Sequence, residues 1–135
     1  MGSFEDLRVF QRAIDLMVDV YTATEAFPKA ELYGLTSQMR RASCSVVSNV
    51  AEGQGRLSYG ETRQLLSQAR GSLFEVQAQV IVANRLGFLN DASAEHLKKR
   101  IRAAGRELAG LIEWIKRREA EAKRPSRKKP QTPDT

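Results

Sequence analysis

The sequence predicts an all-α protein, an antiparallel up-down-up-down four-helix bundle with a disordered basic C-terminal tail. Four long segments place apolar residues at every third or fourth position, as one face of a helix does, and no segment alternates apolar and polar residues like a strand. The connections between these segments are short, which favours antiparallel neighbours. At 135 residues with 41% hydrophobic residues, the chain is long enough for one domain with a substantial core.

The first two predicted helices span residues 4–27 and 32–54. A capping-box pattern beginning at Ser3 precedes the first helix, and Pro28 ends it. Its apolar residues form two adjacent rows and hence the broad face that a bundle helix requires. Gly55 follows the second helix, where we expect a left-handed stop.

The third predicted helix begins after a capping box at Ser58 and ends near Leu86, before Gly87. The fourth starts between Asn90 and Ser93 and ends near Glu119. Three prolines among lysines, arginines, serines and threonines follow, a composition that neither continues a helix nor builds a core. We therefore assign residues 1–118 to the bundle and residues 119–135 to a disordered tail.

Polar rows run beside the apolar faces of the second and third helices. If these rows meet, their side chains satisfy one another in a network that fixes the register between helices or subunits. A ligand or nucleic-acid site built from the same groups, or a catalytic site, is the alternative interpretation. The predicted polar network comprises Arg41, Ser45, Asn49, Glu52, Arg70, Ser72 and Glu75.

A second apolar strip lies on the third helix, where Phe74, Ala78 and Ile81 follow one another at helical spacing. On the fourth helix, Trp114 stands beside small residues on a flank of the core row. Helices that are apolar on two sides usually contact something beyond their own bundle. Phe74, Ala78, Ile81 and Trp114 are therefore the predicted oligomer interface; the alternative is a wide core face with a partly exposed tryptophan.

The basic charge is concentrated. The chain has a net charge of +6 and a pI near 9.8, and residues 98–118 hold eight lysines and arginines against two glutamates. A one-sided basic helix followed by a basic arm suits phosphate-backbone binding. A merely solvated face is the alternative, since no aromatic residues alternate with these cations along the sequence. The predicted nucleic-acid-binding residues are Lys98, Lys99, Arg102, Arg106, Lys116 and Arg117.

Residues for catalysis or metal binding are scarce. His96 and Cys44 are the only histidine and cysteine, and there is no phosphate-binding loop. Glu52 and Glu75 have arginines nearby, so ion pairing explains them first. We expect a non-enzyme with no metal and no cofactor. Without an apolar run long enough for a membrane span or a secretion signal, the prediction is a soluble cytoplasmic protein.

Residues 4–118 resemble the S23 ribosomal protein family, also called the 23S rRNA intervening-sequence protein family. Residues 4–11, Phe-Glu-Asp-Leu-Arg-Val-Phe-Gln, are similar to the start of that family. Phe27-Pro28-Lys29 and the segment 31–35 resemble its first turn. The segments 38–42, 49–53 and 69–72 are similar to its most characteristic stretches. The resemblance implies a four-helix bundle.

The resemblance also implies a bacterial homopentamer, often encoded in spacer segments of rRNA genes. It implies kinship with accessory proteins of diversity-generating retroelements, which bind nucleic acid and a reverse transcriptase. It supplies no catalytic residues. The concentrated basic charge supports a first hypothesis, a basic homo-oligomer that binds RNA or DNA backbone through the fourth helix and the tail. The alternative is a structural or protein-interaction scaffold without direct nucleic-acid binding.

Overall fold

A computed structural model describes residues 7–125, and in that range it contains α-helices and no strand. Each helix packs against its neighbours in sequence, and α1 also packs against α4. Therefore α1 and α3 lie on one diagonal of the bundle, and α2 and α4 lie on the other. This arrangement confirms the predicted up-down-up-down bundle. The four helices are α1 (Arg8–Thr24), α2 (Leu35–Gln54), α3 (Tyr59–Arg85) and α4 (Asp91–Lys123).

The starts of α3 and α4 are set by side-chain caps. The Ser58 hydroxyl accepts a hydrogen bond from the Glu61 amide at 3.1 Å, and the Asn90 side-chain oxygen accepts one from the Ser93 amide at 2.8 Å. Each cap satisfies an amide that the first helical turn leaves without a backbone partner. After α3, Gly87 has a φ of +79°, the left-handed conformation that favours glycine.

The connection between α1 and α2 differs from the prediction. Helix α1 ends at Thr24, short of residue 27, and a single 3-10 turn occupies Lys29–Glu31. Phe27 turns inward instead, where its ring centroid lies 5.6 Å from that of Phe88. Helix α2 begins at Leu35, later than predicted, because the Glu31 carboxylate accepts a hydrogen bond from the Leu35 amide at 3.0 Å.

Two further corrections concern the ends of helices. Gly55 has a φ of −87°, so the predicted left-handed stop there is wrong. Helix α4 continues to Lys123, so residues 119–123 are helical and do not belong to a disordered tail. The structural cause is Glu119, which Arg63 on α3 holds at 2.6 Å. The helix ends before Pro125, which disfavours helical geometry at Arg124. The predicted cap at Ser3 and the tail from residue 126 lie outside the described residues.

The core forms two clusters that follow each other along the bundle, and Val47 on α2 packs against both. The cluster near the α1–α2 connection includes Leu16, Val20, Met39, Val80 and Leu97. The cluster at the opposite end includes Val50, Leu66, Leu108, Ile112 and Ile115. Because α4 contributes to both clusters over its length, its remaining faces are fixed toward α1, α3 and solvent.

Candidate nucleic-acid interface

The flank of α4 beside α1 carries Arg100, a cation that carboxylates of α1 neutralise. Arg100 donates to Asp19 at 2.8 Å and lies 3.5 Å from Asp15, and His96 lies 2.7 Å from Asp19. The hydrogen bond to Asp19 raises the pKa of Arg100. These groups join α1 to α4, so Arg100 is a structural cation and is not available to a ligand.

The solvent face of α4 carries cations of a different kind. Lys98, Lys99, Arg106 and Arg117 make no ion pair with any described residue. Lys98 is half-buried and the other three are exposed. Like charges held along one helix repel each other, and this repulsion destabilises the folded protein. A bound polyanion would reduce the repulsion.

The other two predicted binding residues have carboxylate partners on their own helix. Arg102 lies 3.1 Å from Glu95, and Lys116 lies 3.6 Å from Glu113. Both pairs are more than half exposed, and exposed ion pairs contribute only about 0–1 kcal/mol. A phosphate group can therefore compete for these two cations.

A groove of about 300 Å³ between α3 and α4 continues this basic surface. Arg70, Lys98 and Arg102 line it together with the ring of Phe74, above a floor that includes Leu73. The guanidinium of Arg70 lies 5.7 Å from the Phe74 ring centroid. Sequence reasoning missed this aromatic group beside the cations, because the two helices contribute separately and meet only in the fold.

The four residues of the predicted oligomer interface fall on two surfaces. Phe74 and Ile81 on α3 are 58% and 43% exposed, with Ala78 exposed between them. Trp114 is 43% exposed and lies one turn beyond Gly110, which lines the opposite groove of α4, toward α1. Arg118 covers its ring at 4.9 Å. A single contact cannot bury all four from one protomer.

The predicted polar network forms in part. Ser72 donates to the Ser45 hydroxyl at 2.9 Å, and Asn49 donates to the carbonyl and the hydroxyl of Ser45 at 2.9 and 3.1 Å. This group joins α2 to α3. Glu75 instead lies 3.5 Å from Gln79, whose side-chain oxygen is buried without a hydrogen-bond partner in the structure.

The charged members of that network stay apart. Arg41 and Glu52 are exposed and make no ion pair with a described residue, and Arg70 lies against Phe74. An ion pair between the polar rows of α2 and α3 is therefore absent from the described part of the chain, and hydroxyl and amide groups make the contact.

Metal-ligating side chains do not cluster in the described part of the chain. No group of three histidine, cysteine or acidic residues there could hold a metal ion. Cys44 lies 3.6 Å from the Met17 sulfur and 3.5 Å from the Tyr21 hydroxyl. None of the helices in residues 7–125 combines the length and apolar character needed to cross a membrane.

Comparison with known protein families relates this chain to a described family. The sequence model described as 23S rRNA-intervening sequence protein matches residues 5–110, within the range whose motifs carry the resemblance described above. This match covers most of α4, including four of the six predicted binding residues. No curated protein matches the chain.

Proposed function

Since this chain belongs to the 23S rRNA-intervening sequence protein family, we propose that it is a non-enzymatic protein that binds RNA through the phosphate backbone. The observation that carries the proposal is the set of four α4 cations without carboxylate partners among the described residues, Lys98, Lys99, Arg106 and Arg117.

Two features of the structure favour a polyanion over a small anion. The four cations extend along five turns of one helix, so they match a chain of phosphates and not a single one. The carboxylates of α1 neutralise Arg100, which leaves the excess positive charge of α4 mainly on its solvent face. The proposed interface is therefore centred on the solvent face of α4, with Lys98 at the groove toward α3 and Arg106 at the groove toward α1.

The salt dependence of binding tests this proposal. We expect a labelled RNA to bind at about 50 mM salt and to dissociate as salt rises toward about 200 mM. Replacing the four cations by glutamine should lower the slope of log affinity against log salt by about 3, at about 0.7 for each lost contact to a single strand. A control variant removes four exposed cations from elsewhere: Arg12, Lys29, Arg56 and Arg85.

The control keeps the same net charge as the α4 variant, so it separates a local interface from a general attraction. An equal loss of RNA affinity in both variants would show that only the net charge of the protein matters. An RNA affinity that does not change with salt concentration would contradict backbone binding. Because all eight positions are partly or fully exposed, we expect both variants to fold.

A protein-interaction scaffold is the second candidate, and the exposed strip of Phe74, Ala78 and Ile81 favours it. In this alternative the strip contacts further copies of the chain, in a pentamer as the family resemblance implies, or a protein partner such as a reverse transcriptase. Purified protein that carries no nucleic acid but recovers one protein partner would support the scaffold over the RNA-binding proposal.

A further inference from the structure

A second group of aromatic and cationic side chains lies where α1 leads into α2. Tyr21 on α1 and Tyr33 in the connection flank a depression of about 400 Å³. The other lining residues contribute two guanidinium groups, two hydroxyl groups and one apolar side chain, and none is a carboxylate: Leu32, Thr36, Ser37, Arg40 and Arg41. We refer to these seven residues as the tyrosine–arginine cluster.

One half of the cluster is held in place. The Arg40 guanidinium lies 4.7 Å from the Tyr21 ring centroid, and its Nε donates to the Thr24 hydroxyl at 2.9 Å. The Tyr21 hydroxyl lies 3.5 Å from the Cys44 sulfur, a contact that raises the pKa of Tyr21. This half therefore offers a preorganised cation and ring, with little conformational freedom left to lose on binding.

The other half is open. The Tyr33 side chain is 93% exposed and makes no hydrogen bond with a described residue. Arg41 is exposed and has no ion pair in the same range. The carboxylate of Glu31, which precedes Tyr33 by two residues, accepts a hydrogen bond from the Leu35 amide. The open half thus presents a flat aromatic surface beside an unpaired cation.

We propose that the tyrosine–arginine cluster binds an unpaired nucleotide of single-stranded RNA, with the base stacked on Tyr33 and the phosphate contacted by Arg41. This inference rests on the proposed RNA binding through α4 and adds a preference for unpaired segments. Bases in a duplex stack on each other and cannot reach a tyrosine, whereas unpaired bases stack on aromatic rings and guanidinium planes.

The cluster lies at the end of the bundle where α4 begins. Asp19 on α1 contacts His96 on α4, and Tyr21 follows Asp19 by two residues. The cluster is therefore level with the first turns of α4, close to the height of Lys98 and Lys99. The cluster opens between α1 and α2, across the bundle from the solvent face of α4. A single strand that used both sites would therefore have to pass around this end of the bundle.

A short RNA containing the fluorescent base 2-aminopurine tests the inference, because stacking quenches its emission. We expect quenching on addition of the unmutated protein and of Y33F, which keeps the ring. The variant Y33A should abolish quenching and weaken single-strand affinity about fivefold or more. The matched control is Y59A, which removes another exposed tyrosine at the start of α3. A duplex with the same number of phosphates should bind Y33A and unmutated protein equally.

The outcomes separate this inference from the proposal on which it rests. In one outcome, both RNAs bind in a salt-dependent way, but the quenching is unchanged by Y33A or is absent throughout. This result would overturn base stacking at the cluster and would leave the α4 proposal intact. In the other outcome, Y33A abolishes the quenching, and the four-cation α4 variant binds RNA as well as the unmutated protein does. This result would support base stacking at the cluster and contradict the α4 interface.

Discussion

Two glycines lie within helices at positions where the structure predicts that alanine would increase the stability of the protein. A Cβ added at Gly71 on α3 or Gly110 on α4 would meet no atom within 4 Å in the protomer. Alanine is favoured over glycine in a helix interior by about 1 kcal/mol, because it loses less backbone entropy on folding. We therefore expect G71A and G110A each to raise the free energy of unfolding by about 1 kcal/mol.

The two sites lie on different helices and share no contact, so their effects should add to about 2 kcal/mol in the double variant. An unfolding entropy of about 2.1 cal/mol/K per residue converts each 1 kcal/mol into about 4 °C for a domain of this size. Thermal and urea denaturation followed by far-UV circular dichroism measure the change. The double variant should melt about 8 °C higher than the unmutated protein.

Gly87 supplies the control, since the same chemical change there should have the opposite sign. Its φ of +79° is a left-handed conformation that costs an alanine about 1–2 kcal/mol. A loss of stability in G71A or G110A would refute the reasoning. It would mean that the stable species places another molecule, such as a second copy, against these helix faces.

The remaining predictions concern the core, a charge pair and assembly. In urea denaturation, L66A should lower the free energy of unfolding by about 2–5 kcal/mol, because Leu66 is fully buried. A decrease below about 1 kcal/mol would contradict that packing. The hydrogen bond from Arg63 lowers the pKa of Glu119, so its contribution is present above the unfolded pKa and lost as pH falls through the folded pKa. Stability should therefore fall less steeply below about pH 5 in E119Q than in unmutated protein, and equal slopes would exclude the pair as a cause. In light scattering, F74E or I81E should dissociate a homo-oligomer without unfolding the protomer; a monomer mass for the unmutated protein would end this hypothesis.

Local features of the fold could be predicted from the sequence. The cap at Ser58 depends on a few adjacent residues, so spacing alone identifies it. For the fourth helix the sequence predicts a start between Asn90 and Ser93, and the structure shows that Asn90 caps it. The predicted end of the fourth helix fails because Glu119 is held by Arg63, which lies 56 positions earlier. Gly55 fails as a left-handed stop because glycine permits that conformation without requiring it.

The candidate site depended more on the fold. The excess of cations on α4 is visible in the sequence, but their sorting into paired and unpaired groups is not. Arg100 and Lys99 are adjacent, and only the rotation of α4 against α1 places Arg100 on Asp19. The same holds for Phe74 and Lys98, which reach one groove from two helices. Tyr33 lies within the predicted second helix, whereas the structure places it in the connection before α2, so helical periodicity could not predict its exposure.

The contact between Ser45 and Ser72 bears on how the chain folds as well as on what holds it together. Helices α2 and α3 make the most extensive contact of any helix pair in the described range, and only residues 55–58 separate them. Closing so short a loop costs little entropy, and local contacts speed folding. We expect this hairpin to form in the folding transition state, so that S72A slows folding more than it speeds unfolding. In that case α1 and α4 would pack afterwards against an α2–α3 hairpin whose register is already fixed by the hydrogen bond between Ser45 and Ser72.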